Sequence, residues 1–531
     1  MRTIPPPSVH QPARKVCLVI FVLGTLFKLW LISGAEVRDT TDDSICYLEQ
    51  ILGLTDCAQM CPPGTGVVGS FFREFGIPFF LGVEVFYWAA AFATVAALIG
   101  WPHRHYTPLG LYLLTIFSPV VMNLNTSLLS DVVFVTTVML GFGCLVLSYS
   151  TKRQWLFFLG ASLFLGISVI TRVTYIPLLM ALAALAALII LLHPSPRSIP
   201  DLVKNLFPIA AVSLGLSIIY MGTCCYNAEA YGFYGLSMID SSQYRHLYGT
   251  LQSVGDSGDY AYFPIDEQKR AEIRLAGPNA KLFIDALEKD SGAKQASQER
   301  YGRYDIASGW FSWAAYSVYP NNQPKSAALF QAVENDVAEA SRQHIIATHF
   351  VLPIPDSRFG VVSRAFPLAL ENSVTCLLHQ PPQLSWNWAK GPYVDHGFSV
   401  ALTRRTISPD PVAGKIGDFL CSAYAVLYNR IVLLLGLVAF LATVFLSVYY
   451  RGKTIVAGGR FPAQQIFVIY FFLLFLWYTL FDASGYPVLD RYMIFGNLLL
   501  PIFTVYYVWL AWQIYCRKSV DFLLQEEDAA S

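Results

Sequence analysis

The chain has 531 residues, 55% hydrophobic and 15% aromatic, with only 14% charged, and its 36 basic and 36 acidic side chains leave a formal net charge of zero. A soluble fold of ordinary charge content cannot bury that much apolar surface, so the composition marks an integral membrane protein. Balanced charge and a pI of about 7.1 give no basic field for nucleic acid and no acidic tail, which excludes nucleic-acid partners.

Crossing the hydrocarbon takes about 20 apolar residues, and about ten runs approach that length. They lie near 16–34, 79–100, 107–122, 131–149, 154–171, 174–193, 206–226, 429–450, 463–481 and 492–515. Arg14 with Lys15, Arg104 between two histidines, Lys152 with Arg153, Arg197 with Lys204, Arg451 with Lys453 and Arg460, and Arg517 with Lys518 fall on alternate sides. That bias places both termini in the cytoplasm. Ser33-Gly34-Ala35 has the small residues of a cleavage site, but the length of the first run and Lys28 within it favour a retained anchor.

The expected fold is an all-α polytopic membrane protein in three parts. Residues 1–226 form an N-terminal transmembrane module with a first outer loop at 35–78. A polar block at 227–428 forms a large, mainly helical outer domain, with helical stretches at Gln268 to Leu287 and Lys325 to Ala347. Residues 429–531 hold the last spans and a cytoplasmic tail. No repeat of solenoid length appears.

The first outer loop reads as two short helices lying along the membrane. Asp42 can cap a helix in which Ile45, Leu48, Ile51 and Leu52 recur at helical spacing and which stops at Gly53. Pro62-Pro63-Gly64-Thr65-Gly66 reads as a tight turn that lets backbone approach a bound group. Asp42 and Asp43 are adjacent acids at the mouth of the bilayer, where charge is costly unless paired, hydrated or used. Lys28 and Glu84, inside predicted spans, either pair or snorkel. Cys57 and Cys61 could join in a disulfide on an oxidising outer side; the histidines lack zinc-site spacing, so no structural metal is expected.

The acidic pair after the first span, the Tyr-Leu-Glu helix, the Pro-Gly turn and the aromatic run into the second span resemble the GT-C superfamily of membrane glycosyltransferases. Protein O-mannosyltransferases and the lipid A aminoarabinose transferase are examples. Bacterial members also open their long loop with Asn-x-x-x-Tyr-Gly, matched here by Asn227-Ala228-Glu229-Ala230-Tyr231-Gly232. Tyr248-Gly249-Thr250-Leu251 and Gly309-Trp310-Phe311-Ser312-Trp313 are further similar stretches.

The resemblance implies transfer of a sugar from a polyprenyl-phosphate carrier to a glycan, lipid or protein acceptor at the outer face of a membrane, here a bacterial inner membrane. It implies Asp42 as catalytic carboxylate with Asp43 as neighbour or substitute, since an attacking hydroxyl or amine must lose a proton. It also implies a second acid at the outer end of the fourth span, where Asp131 lies. Arg172 and the Arg491-Tyr492 pair stand at outer ends against the positive-inside trend, and a guanidinium suits a departing lipid phosphate. Pro63 and Gly64 form the turn beside the donor. The blander readings are an N-cap for Asp42, a helix-dipole acid for Asp131 and snorkelling for the arginines.

Cys61 stands where close relatives often carry a lysine. A magnesium or manganese ion bridging Asp42 or Asp43 to the donor phosphate suits the oxygen ligands. Two rival classes stay open: a transporter of lipid-linked sugar, and a membrane scaffold with an outer binding domain.

Overall fold

The computed structural model describes residues 11–33, 42–53, 61–124, 128, 130–149, 154–191, 199–255, 267–289, 310–320, 322–349, 359–378, 411–427, 463–483, 497–510 and 512. Among them secondary structure is helical apart from one isolated bridge between Val254 and Thr348. Among the described residues four helices are long and apolar enough to cross a membrane: α4 (Phe79–Leu98), α7 (Ser130–Ser148), α8 (Gln154–Thr171) and the Leu202–Tyr231 part of α10 (Ile199–Tyr231). Shorter apolar helices are α5 (Tyr106–Ile116), α9 (Tyr175–Leu191), and α18 and α19, which include Ile466–Leu480 and Asn497–Leu510. The predicted run at 429–450 lies outside the described residues.

The remaining helix of the first region, α1 (Gln11–Ser33), meets the bundle along one narrow stripe. Cys17 and Lys28 are buried there, Phe21 packs on Phe92 and Tyr112, and Gly24 leaves room for Leu113 of α5. Its other faces expose Leu18, Val19, Leu23 and Leu26, as a helix bordered by lipid does.

The third predicted run is not one span. It divides into α5 and α6 (Pro119–Leu124), because Pro119 has no N–H to continue the helix and its ring disfavours helical backbone before it. The break leaves the last α5 carbonyls without intrahelical donors. Tyr87 Oη donates to the Thr115 carbonyl at 2.8 Å and Lys28 Nζ to the Ile116 carbonyl at 2.8 Å. Lys28 Nζ also lies 3.5 Å from Glu84 Oε1, both side chains being buried, and Trp88 Nε1 donates to the same oxygen at 2.6 Å. Of the two readings of Lys28 and Glu84, pairing is therefore the one adopted, and its local cause is the broken helix.

At the centre stands α7, almost wholly buried, between α4 and α8. Gly143 lets it approach Ala93 of α4, and Phe142 meets Phe467 and Tyr470 of α18 (Ile466–Ala483) at ring distances of 5.5 and 5.2 Å. At the far end of α4, Gln464 Nε2 donates to the carbonyls of Ala97 and Leu98 at 2.9 and 3.0 Å. Its own Oε1 accepts from Tyr506 of α19 at 3.0 Å.

With 33 residues, α10 is about 50 Å long, well beyond a hydrocarbon thickness of about 30 Å. Its C-terminal end carries a separate helical lobe. The helix stops at Gly232, whose φ of +77° suits glycine, and Asn227 Nδ2 folds the chain back by donating to the Gly235 and Leu236 carbonyls.

The lobe comprises α11 (Ser242–Ser253), α12 (Glu267–Ala276), α13 (Pro278–Lys289), α14 (Trp310–Val318) and α15 (Gln323–Arg342). The predicted helix from 268 to 287 is two helices, divided at Gly277-Pro278, and α15 ends before His344 rather than at Ala347. Tyr244, Phe283, Phe311 and Phe330 build a core separate from that of the bundle. Asp336 of α15 accepts from the amides of Asn279 and Ala280, capping α13 from a neighbouring helix. Two later helices, α16 (Phe359–Leu378) and α17 (Pro411–Leu427), pack on bundle helices instead, α16 on α18 and α17 on α1 and α6.

Candidate functional site

Helix α2 (Asp42–Leu52) begins at the two adjacent acids and packs along α3 (Gly64–Glu74). The second helix starts earlier than the sequence suggests. Pro63 has helical torsions, φ −78° and ψ −8°, and Gly64, Thr65 and Gly66 form the first turn of α3 rather than an open loop. Pro suits a helix entrance because no N–H is lost there. Gln50 joins the two helices: its Nε2 donates to the Cys61 carbonyl at 2.9 Å, and its side chain fills the space that a Cβ on Gly66 would take. Cys61 is a buried free thiol, so the disulfide with Cys57 is not formed.

The start of α3 rests on the end of α8. A Cβ on Gly64 would lie 2.6 Å from the Thr171 backbone nitrogen and 2.7 Å from its Cα. Only glycine permits that approach without displacing backbone. Thr65 beside it is fully buried, and its Oγ1 has no hydrogen-bond partner among the described residues.

Arg172 follows Thr171 in the tight link between α8 and α9, where the Thr174 amide donates to the Arg172 carbonyl at 2.7 Å. Its guanidinium donates to Asp131 Oδ1 in an ion pair, donates to Tyr478 Oη at 3.2 Å, and stands 5.7 Å from the centre of the Phe134 ring. Asp131 is fully buried in the first turn of α7, whereas the Arg172 side chain keeps 12% of its surface open. The second carboxylate oxygen, Asp131 Oδ2, has no hydrogen-bond partner among the described residues.

The two residues expected to act separately are thus one unit. Its fixed charge is largely neutral, and partners on two helices, Asp131 and Phe134 on α7 and Tyr478 on α18, set the orientation of the guanidinium. An arginine constrained in this way can present a planar cationic edge at a defined angle.

The structure brings together Pro63, Gly64, Asp131 and Arg172. Asp42 and Asp43 begin α2, whose other end, at Gln50 and Ile51, is what packs on α3; their side chains, like Arg491 and Tyr492, lie outside the described residues. Tyr478, Phe134, Thr65 and Thr171 belong to the same cluster, and none was singled out from sequence. Phe134 was the one within reach, one helical turn after Asp131 and so on the same face. Tyr478 lies 306 positions from Arg172 in an aromatic-rich apolar run that gives no local signal.

In the lobe, the segments that carried the resemblance also gather. Asn227 and Gly232 end α10, and Tyr248 and Phe311 meet in the lobe core at a ring distance of 6.3 Å. Among the described residues no group of three or more His, Cys, Asp or Glu side chains could hold a metal ion. No family model, curated protein or solved structure matches the chain.

Proposed function

We propose that the chain is a membrane glycosyltransferase of GT-C type that moves a sugar from a polyprenyl-phosphate carrier to an acceptor at the outer face. The observation that supports this reading best is the meeting of the first-loop helix α3, through Gly64, with the Thr171-Arg172 link and Asp131. Three segments distant in sequence, α3 of the first loop, the start of α7 and the α8–α9 link, converge around Arg172. Asp42, with Asp43 as neighbour or substitute, takes the proton from the acceptor nucleophile as it attacks the anomeric carbon. Arg172 binds the carrier phosphate and stabilises the negative charge that grows as the sugar leaves.

Asp131 serves in this reading by holding Arg172, because its carboxylate is buried against the guanidinium. Arg491, expected from the sequence at the start of the last span, is the second cation of this reading. Direct displacement inverts the anomeric centre. Buried intramembrane charges are a transporter hallmark, but Lys28 and Glu84 have a structural role at the α5 break, which weakens that alternative.

The test is sugar incorporation into envelope glycans and lipids, read by mass spectrometry in cells with the wild type, a deletion, or Asp42→Asn with Asp43→Asn at matched expression. Loss of the same glycan mass in the deletion and in the paired variant supports the transferase. Retention of the product by the paired variant removes the acids from the chemistry.

A further inference from the structure

The end of the bundle where α1 begins, opposite the Arg172 cluster, carries a second concentration of charge. Residues 1–35 contain Arg2, Arg14, Lys15 and Lys28 but no acid, and no Asp or Glu occurs between Val85 and Ser130. The α1 start and the α4–α5 link are therefore basic without local compensation.

The fold brings the two together. Phe21 of α1 packs on Phe92 of α4 at 5.8 Å, and His103 in the link stacks on the same Phe92 ring at 5.9 Å and 6°. Arg14 is seven residues before Phe21, hence on the same helix face two turns nearer the bundle end. Arg104 Nε donates to His103 Nε2 at 3.3 Å. Burial first, and then the charges of Arg104 and Arg14, lower the proton affinity of the His103 imidazole, so Arg14 and Arg104 approach one ring from two elements. Among the described residues neither arginine pairs with a carboxylate. Trp101 lies in the same aromatic cluster, at 5.7 Å from Phe92, and Tyr106 is exposed at the start of α5. These are side chains that settle at headgroup depth.

We propose that Arg14 and Arg104, with His103 between them and Trp101 beside them, form a binding site for the headgroup of an anionic phospholipid. Basic clusters between helices at a membrane surface bind lipid phosphates in this manner, each cation contributing about fivefold in affinity. The site is independent of the glycosyl-transfer reading and requires only that the bundle sit in a bilayer.

The test uses the full-length protein in nanodiscs of phosphatidylcholine mixed with phosphatidylglycerol, with retained lipid counted by native mass spectrometry. The wild type is expected to retain phosphatidylglycerol in excess of its share, and Arg14→Gln with Arg104→Gln to lower that enrichment by about fivefold for each charge removed. Arg14→Lys with Arg104→Lys, which keeps the charge, restores most of it. Arg73→Gln, at the opposite end and paired with Glu74, leaves it unchanged. Equal enrichment in the wild type and the Gln variant, with matched melting temperatures, overturns the site. So does displacement of the lipid by inorganic phosphate, which would make the ligand a free anion.

Discussion

Gly64 and Asp131 show how single residues fix the candidate site. At Gly64 a methyl group would meet backbone of Thr171 rather than a flexible side chain. Gly64→Ala therefore pushes α3 off α8, at a cost of about 1–3 kcal/mol. A lower melting temperature together with loss of transfer is expected; an unchanged melting temperature would show that the contact is slack. For Asp131, the Asn variant leaves the Arg172 charge buried without its counter-ion, a loss of about 3–5 kcal/mol. The paired replacement Asp131→Leu with Arg172→Met should recover much of that stability while remaining inactive, since it restores packing but not the cation. Thermal melts and transfer assays on the same preparations separate the two effects. From sequence, both residues were visible as charges at helix ends, but their partnership was not, because 41 positions and two helices intervene and no periodic pattern encodes a meeting between separate elements.

Helices were legible where composition alone decides them and less so where a neighbour does. The first loop showed its two short helices in the apolar spacing of Leu48, Ile51 and Leu52, yet the Pro63-Gly64 step read as a turn, since the same residues open helices and bend loops. Pro119 was the missed signal within the third run: it divides α5 from α6, and the freed carbonyls explain why a lysine is buried in α1. Lys28→Met removes the donor to Ile116 and the cation beside the buried Glu84, so a loss of about 3–5 kcal/mol is expected. Lys28→Met with Glu84→Gln should be milder than Lys28→Met alone, as a double-mutant cycle on melting temperature would reveal. Equal losses would mean that the carbonyl contact, not the ion pair, dominates.

At the scale of the molecule, the lobe holds two carboxyls whose contributions to stability run in opposite directions with pH. In the lobe, burial pushes the Glu334 carboxyl up from its ordinary 4.5 to about 7, with the Gln331 amide opposing the shift, and Glu334 Oε1 has no hydrogen-bond partner among the described residues. The folded form thus holds its proton more tightly than the unfolded chain. Its favourable share is complete below pH 4.5, declines as pH rises, and is gone above about pH 7. Asp285 behaves oppositely: Lys281 and then Arg274 hold its carboxyl below the usual range, so its contribution exists above its unfolded value and fades in acid. Glu334→Gln should match the wild type near pH 4.5 and become the more stable of the two as pH climbs toward 7. Hydrogen exchange in α15 across that interval measures the difference, and a gap that does not vary with pH would rule the titration out.

The bond from Gln464 to the end of α4 bears on how the chain is made. Ala97 leaves the ribosome 367 positions ahead of the residue that completes its helix, a wait of roughly 20–70 s at ordinary rates of synthesis. Arg172 likewise waits for Tyr478. Both ends of the N-terminal spans stay open until the last segments are inserted, so the nascent protein reaches its working arrangement only at the close of translation, and chains that stop early never acquire it.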